Sequence, residues 1–214
     1  MSWYDLISPL YDTVATGYGR PRRAAIAQLR LEPGDAVLDI ACGTGLNFPL
    51  IEAGIGPEGL LIGLDFSPGM LAKAQRRARR RRWENVRLIQ ADARALCREL
   101  LREHAGVDRV DKALCTLGFS VVPDWETVFE RSWALVKPGG RYAMMDGWRG
   151  RRNPVVRPLV RLMEVVSRSD VTHRRCWAPL EAKSGDYSYT AFNYTPFVRA
   201  IMFVAAGTVP GAAA

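Results

Sequence analysis

At 214 residues, 48% hydrophobic and 24% charged, the chain has the make-up of one globular domain with a packed core and an elaborated end. No run reaches the ~18 apolar residues of a membrane-spanning helix. The opening MSWYDLISPLYD lacks the basic leader of a secretory signal, so the cytoplasm is the expected compartment. Cys42, Cys97, Cys115 and Cys176 are scattered without a CxxC pair, and His104 and His173 stand far apart, which speaks against a disulfide framework and against a metal site.

The net charge of +8 is carried mainly by arginine, 26 of the 30 basic residues. Arg76, Arg77 and Arg79 to Arg82 form one run, and eight arginines lie between Arg149 and Arg175. Such a surface suits phosphate-bearing partners: lipid headgroups, nucleic acid or anionic metabolites. Arginines decorating solvated helix faces account for the same residues equally well.

In chain order, residues 1–30 read as a helical cap. Trp3, Tyr4, Leu6, Ile7, Leu10, Tyr11 and Val14 form an amphipathic stripe within it. Residues 31–214 then alternate strands and helices in the manner of a doubly wound α/β sheet. Strands are predicted at 36–41, 60–65, 86–90, 111–117 and 141–146, and helices at 46–53, 68–82 and 125–136. Ser67 is the expected N-cap of the second helix, with Pro68 at its first position, and Lys137-Pro138-Gly139-Gly140 is an expected turn. Residues 186–194 and 199–206 look like an antiparallel pair closing one edge of a mostly parallel sheet. Residues 147–183 interrupt the alternation as an insertion expected to cover an acceptor site, because ligands in such folds bind beyond the carboxyl ends of the strands.

The densest signal is Asp39-Ile40-Ala41-Cys42-Gly43-Thr44-Gly45, at a strand end just before a helix. Gly43 and Gly45 permit backbone conformations and a close ligand approach that a Cβ would obstruct. Phe48 stands where a dinucleotide fingerprint needs its third glycine, which argues against NAD or FAD. Asp65 closes the second strand, where a carboxylate can accept from both ribose hydroxyls. Asp92 closes the third and could accept from an adenine amine, with Ala93 offering backbone. Singly, Asp65 and Asp92 read equally well as helix caps or turn formers. Three acids at successive strand ends beside a glycine loop argue for one ligand site.

The runs VLDIACGTG, GLDFSPGML, QADA and LVKPGGR resemble the class I methyltransferases that use S-adenosyl-L-methionine (SAM). The resemblance implies a Rossmann-like fold and places the methionine part of SAM on Gly43 and Gly45, the ribose on Asp65, and adenine on Asp92 with Ala93. Asp39 would orient the loop. Phe66 and Met70 would pack on adenine, and Leu117 at the fourth-strand exit completes the cofactor set. Ala41 stands where the family has the first glycine of the loop, a departure that a small side chain should permit.

A narrower resemblance rests on Tyr4-Asp5, Tyr11-Asp12, Thr116 to Ser120 and Pro123-Asp124-Trp125. These are similar to bacterial phospholipid and betaine-lipid N-methyltransferases and to quinone C-methyltransferases. That likeness implies a leader that caps the cofactor and touches membrane, with Tyr11 near the transferred methyl. Packing of the leader is the alternative for Tyr11. His173 is a candidate base, with a surface role as its alternative, and Asp146 is a third candidate. The acceptor is then a hydrophobic or lipid-like amine, with Arg149, Arg151, Arg152, Arg157, Arg174 and Arg175 gripping phosphate and Trp148 and Trp177 at the interface. A helix over about 153–167 would suit an anionic bilayer, seating the protein peripherally on the inner membrane face. The alternatives are C-methylation of a quinone, O- or S-methylation of a small molecule, or SAM binding without catalysis. Nucleic acid is a disfavoured partner, because CTLGFS lacks the Asn-Pro-Pro-Tyr type of motif that holds a flipped base.

Overall fold

The computed structural model describes residues 18–148, 174–193 and 201–211. In chain order these form α1 (Gly19–Gln28), β1 (Ala36–Ile40), α2 (Phe48–Ile55), β2 (Leu60–Asp65), α3 (Pro68–Arg81) and β3 (Val86–Gln90). There follow α4 (Arg98–Ala105), β4 (Val110–Thr116), α5 (Trp125–Leu135), β5 (Val136–Trp148), α6 (Ala178–Lys183), β6 (Ser188–Asn193) and β7 (Ile201–Thr208). The seven strands make one sheet in the order β3-β2-β1-β4-β5-β7-β6. The first five run parallel, and β7 lies antiparallel between β5 and β6. This is the Rossmann-like sheet with an antiparallel edge that the sequence predicts.

The alternation of β1 explains the layering. Ala36, Leu38 and Ile40 point to one face, where they join Leu101, Val128, Phe129 and Leu180 from α4, α5 and α6. Val37 points to the other face, with Ala25 and Ile26 of α1, Ile51 of α2, and Leu71 and Ala74 of α3. Every residue of β1 is buried, as a central parallel strand covered on both faces must be. Helix α1 falls inside the predicted helical cap. Residues 1–17 of that cap, Trp3 to Val14 included, lie outside the described residues, as does the helix expected at 153–167.

Two elements differ from the sequence prediction. Helix α4 was not expected. It is eight residues long with only Leu101 buried, too little for a periodic signal, and its ends rest on Cys97 and on Gly106 in the left-handed region. Strand β5 begins five residues early, because Lys137–Gly140 bulges within the strand instead of preceding it. Val110 pairs Val136 but Lys112 pairs Arg141. The bulge is pinned from the far side, as Gly139 donates to the Val209 carbonyl (2.8 Å) and Val209 to that of Gly140 (2.9 Å). Beyond it Arg141 donates to the Gln28 carbonyl (2.6 Å), to Asp186 (2.6 Å) and to Thr208 (2.9 Å), tying α1 to the end of the antiparallel edge where β6 begins and β7 stops. Burial pushes the Asp186 carboxyl up, but hydrogen bonds from Thr208 and Arg141 outweigh it and hold the pKa at about 2.

A Cβ on Gly140 would stand 2.4 Å from the Asp111 carbonyl oxygen, and backbone cannot yield as a side-chain tip can. Gly140→Ala is therefore expected to lower stability by about 1–3 kcal/mol, the scale of overpacking. Urea unfolding would measure it, and a midpoint equal to that of the wild type would refute the packing argument.

Candidate cofactor site

The sheet reverses its winding between β1 and β4, which opens a crevice at their carboxyl ends. The first residue beyond each strand, Ala41 after β1 and Leu117 after β4, adopts a left-handed backbone, with φ of +54° and +60°. For residues with a Cβ this costs about 1–2 kcal/mol, so the chain carries local strain where the two strands part. Ala41 is accommodated, but in a conformation that favours the glycine its position has in the family pattern.

Beneath the loop sits a buried polar cluster. The alternation of β1 turns Asp39 into the same face as Val37, where it is fully buried. Asn47 donates from Nδ2 to both carboxylate oxygens (2.9 and 3.0 Å) and to the Thr116 hydroxyl (3.0 Å). Arg22, from α1, donates to the Asn47 side-chain oxygen and to Thr116 (3.3 Å). Burial drives the Asp39 carboxyl up, the Asn47 amide and Arg22 charge pull it back, and Asp65 adds repulsion. The pKa settles at about 7. Gly45 (φ +75°) closes the loop over Phe48, whose ring would lie 2.7 Å from a Cβ there. Phe48 thus packs between α2 and the sheet, where the third glycine of a dinucleotide fingerprint would bring helix and strand close.

Asp65 ends β2 between two backbone amides: Gly43 donates to one carboxylate oxygen (2.8 Å) and Ser67 to the other (2.9 Å). Each such oxygen has more than one acceptor site, so the same contacts that hold the glycine loop also aim the carboxylate. A cavity of about 330 Å³ opens here. Ala41, Gly43, Asp65, Phe66, Met70, Asp92, Ala93 and Leu117, all predicted from sequence, line it. Asp39 and Gly45 are not among its lining residues; they shape the loop from beneath. Phe66 is 64% exposed at the rim, an aromatic face offered to a flat partner.

Sequence reasoning missed Arg94, Val121, Val122 and Pro123, which also line the cavity, and Ser67, which it read only as a helix cap. Arg94 grips Asp92 with a bidentate pair, Nε to Oδ1 (3.0 Å) and a terminal nitrogen to Oδ2 (2.5 Å), and that hydrogen bonding lowers the Asp92 pKa. Asp92 is therefore ionised but already partnered, and an adenine amine would share it with Arg94. Asn47 and Arg22 were missed too. The one available signal was a polar Asn47 at the head of a helix whose first turn, Phe48 to Ile51, is apolar.

Residues 37–140 match the methyltransferase domain family. This stretch is a class I methyltransferase domain. A demethylmenaquinone methyltransferase from Listeria welshimeri is 32% identical over 150 residues, or 67% of this chain and 60% of the relative, so the chain spans well under the relative's full length. A Haemonchus contortus phosphoethanolamine N-methyltransferase, solved with phosphomonomethylethanolamine and S-adenosylhomocysteine, superposes with a TM-score of 0.70 at 13% identity. That match covers 98% of this chain and 60% of the other. Geranyl diphosphate C-methyltransferase from Streptomyces coelicolor A3(2) gives 0.67 at 15% identity, covering 89% and 79%. At these identities the two structures share the fold.

Of the residues expected to act on the acceptor, Tyr11, His173, Arg149, Arg151, Arg152 and Arg157 lie outside the described residues. Asp146 is buried at the end of β5, where its carboxylate accepts from the Ser120 (2.9 Å) and Gly147 (2.7 Å) amides. Burial raises its pKa to about 6 against those hydrogen bonds. It does not line the cavity, which places it as an anchor of the 118–123 turn. Two residues expected to meet phosphate or membrane do other work. Trp177 is buried, edge-on to Phe203 at 4.9 Å, with Arg175 over its ring. Arg174 is turned onto backbone carbonyls of the turn. Among the described residues no helix is long and apolar enough to cross a membrane.

The Asp39 carboxyl titrates at 3.8 when unperturbed and about 7 in the fold. A raised pKa means its contribution to stability is fully present below about pH 4 and is lost as pH rises through about 7. Asp39→Asn removes that dependence. The melting temperature of the variant, minus that of the wild type, should increase between about pH 4.5 and pH 8. A pH-independent difference would show that Asp39 is not held as a buried acid.

Proposed function

We propose that this chain binds SAM in the cavity at the ends of β1, β2 and β4 and transfers its methyl group to an apolar acceptor. The observation that carries the reading is the convergence there of a glycine-loop backbone, an oriented carboxylate at Asp65, an aromatic face at Phe66, and Asp92 with Ala93. Gly43 and the loop would receive the methionine end, Asp65 the ribose hydroxyls, and Phe66, Met70 and Leu117 the adenine faces. Bound SAM supplies a methyl group already activated by its sulfonium. The protein's contribution is to hold donor and acceptor in line and to keep water out.

For the acceptor, the demethylmenaquinone methyltransferase relative favours a ring carbon of a reduced quinone. Forming that carbon–carbon bond requires a ring proton to leave, so a base matters more than it would for a neutral amine. Tyr11 and His173 are the residues proposed for this side of the reaction. A lipid-headgroup amine is the second reading, resting on the N-terminal and fourth-strand runs quoted above.

Calorimetry with S-adenosylhomocysteine tests the cofactor. Asp65→Ala should weaken binding by about 1.5–3 kcal/mol, the scale for hydrogen bonds to a charged group. No binding to the wild type, or tight NAD binding instead, would sink the proposal. For the acceptor, labelled SAM would be offered with demethylmenaquinol, phosphatidylethanolamine and RNA. Label in the quinol is the expected outcome, and label only in the phospholipid would transfer the assignment to the amine.

A further inference from the structure

The turn between β4 and α5, residues 117–124, supplies Leu117, Val121, Val122 and Pro123 to the cavity yet contains neither helix nor strand. Its backbone groups must therefore find partners elsewhere. The amides of Val121 and Val122 both reach the Gly118 carbonyl (3.1 and 3.0 Å), and that of Ser120 reaches Asp146. Three carbonyls on the other side converge on a single side chain. Arg174 donates from one terminal nitrogen to Phe119 (2.9 Å) and Val122, and from the other to Pro123 (3.4 Å).

We propose that Arg174 is a positioning residue for the cofactor: it holds the Val121–Pro123 wall in place and so sets the affinity for SAM. The inference rests on the cofactor reading above. A guanidinium suits this task because its donors form a rigid planar fork, whereas an ammonium is a point charge that cannot span three carbonyls in fixed geometry. The base of the lever is firm. Cys176 and Trp177, just beyond Arg174, are buried, and Trp177 packs on Phe203 and Tyr189. The wall is thus fastened to the segment entering α6, which lies in the chain directly after residues 149–173. Without Arg174 the three carbonyls would have to turn toward water, and the apolar side chains at the cavity would move with them.

The test compares Arg174→Gln and Arg174→Lys with the wild type in three measurements. These are calorimetric affinity for S-adenosylhomocysteine, ligand-free melting temperature, and amide exchange at 118–124. Arg174→Gln should raise Kd by about tenfold and speed exchange at Ser120 to Val122. Arg174→Lys should recover part of both. In a transfer assay the loss should appear in KM for SAM, with kcat at saturating SAM close to that of the wild type. Asp65→Ala serves as the contrast, weakening binding while leaving exchange at 118–124 as it was. An unchanged Kd in Arg174→Gln overturns the proposal. So does a Kd that rises only with a general fall in melting temperature that Arg174→Lys shares in full. If the wild type itself fails to bind S-adenosylhomocysteine, the cofactor reading falls with it. Exchange at 118–124 then shows separately whether Arg174 orders the turn.

Discussion

Placing a carboxylate on an inward position of the central strand obliges the rest of the fold to solvate it, because an uncompensated buried charge costs several kcal/mol. Asp39 is met by Asn47 from the head of α2, and Asn47 is met in turn by Thr116 from the end of β4 and by Arg22 from α1. Three consecutive elements and the distant β4 are thus drawn to one point directly under the glycine loop. Helix α1 is packed across the sheet by Ala25, Ile26 and Leu29, but Arg22 is what gives that packing a polar register. The loop is held from the other side by Asp65, whose carboxylate takes the Gly43 amide. Between these two acids the loop has little freedom, which suits a site that must meet its ligand already formed.

Strain is concentrated at the same place. Ala41 and Leu117 are left-handed where β1 and β4 diverge, and both face the cavity. Gly118 follows because a Cβ there would lie 2.6 Å from the Cys115 sulfur and 3.0 Å from the Ala41 Cβ. The two strands can separate into a crevice only if the chain turns sharply at both ends, and the buried network beneath provides the rigidity that keeps those turns from relaxing.

The cavity wall is a composite of chain segments with different duties. The β1 and β2 ends provide backbone and carboxylate. The turn after β4 provides apolar surface, fastened by Asp146 at its amides and Arg174 at its carbonyls. Structures of the same fold bear the names of N-methyltransferases and C-methyltransferases alike. Such a scaffold settles where a cofactor lies and leaves the acceptor to the segments added around it.

The sheet and most of the cavity were legible in the sequence because they depend on local rules. β2 and β3 begin and end where their apolar runs do, α3 starts at its Ser67-Pro68 cap, and the acids at strand ends follow the period of the α/β alternation. The contacts of Arg22, Arg174 and Trp177 were not legible. Each is a long or amphipathic side chain whose role depends on what lies opposite it across the fold. Arginine at 174 looks the same in sequence whether it reaches solvent, a phosphate or three carbonyls. The sequence by itself determined the order of elements and the residues that come to the carboxyl edge of the sheet. Only the tertiary structure decided which of its polar groups are consumed in holding that edge together, because hydrogen-bond partners such as Arg22 and Thr116, 94 residues apart, are chosen by packing and not by spacing along the chain.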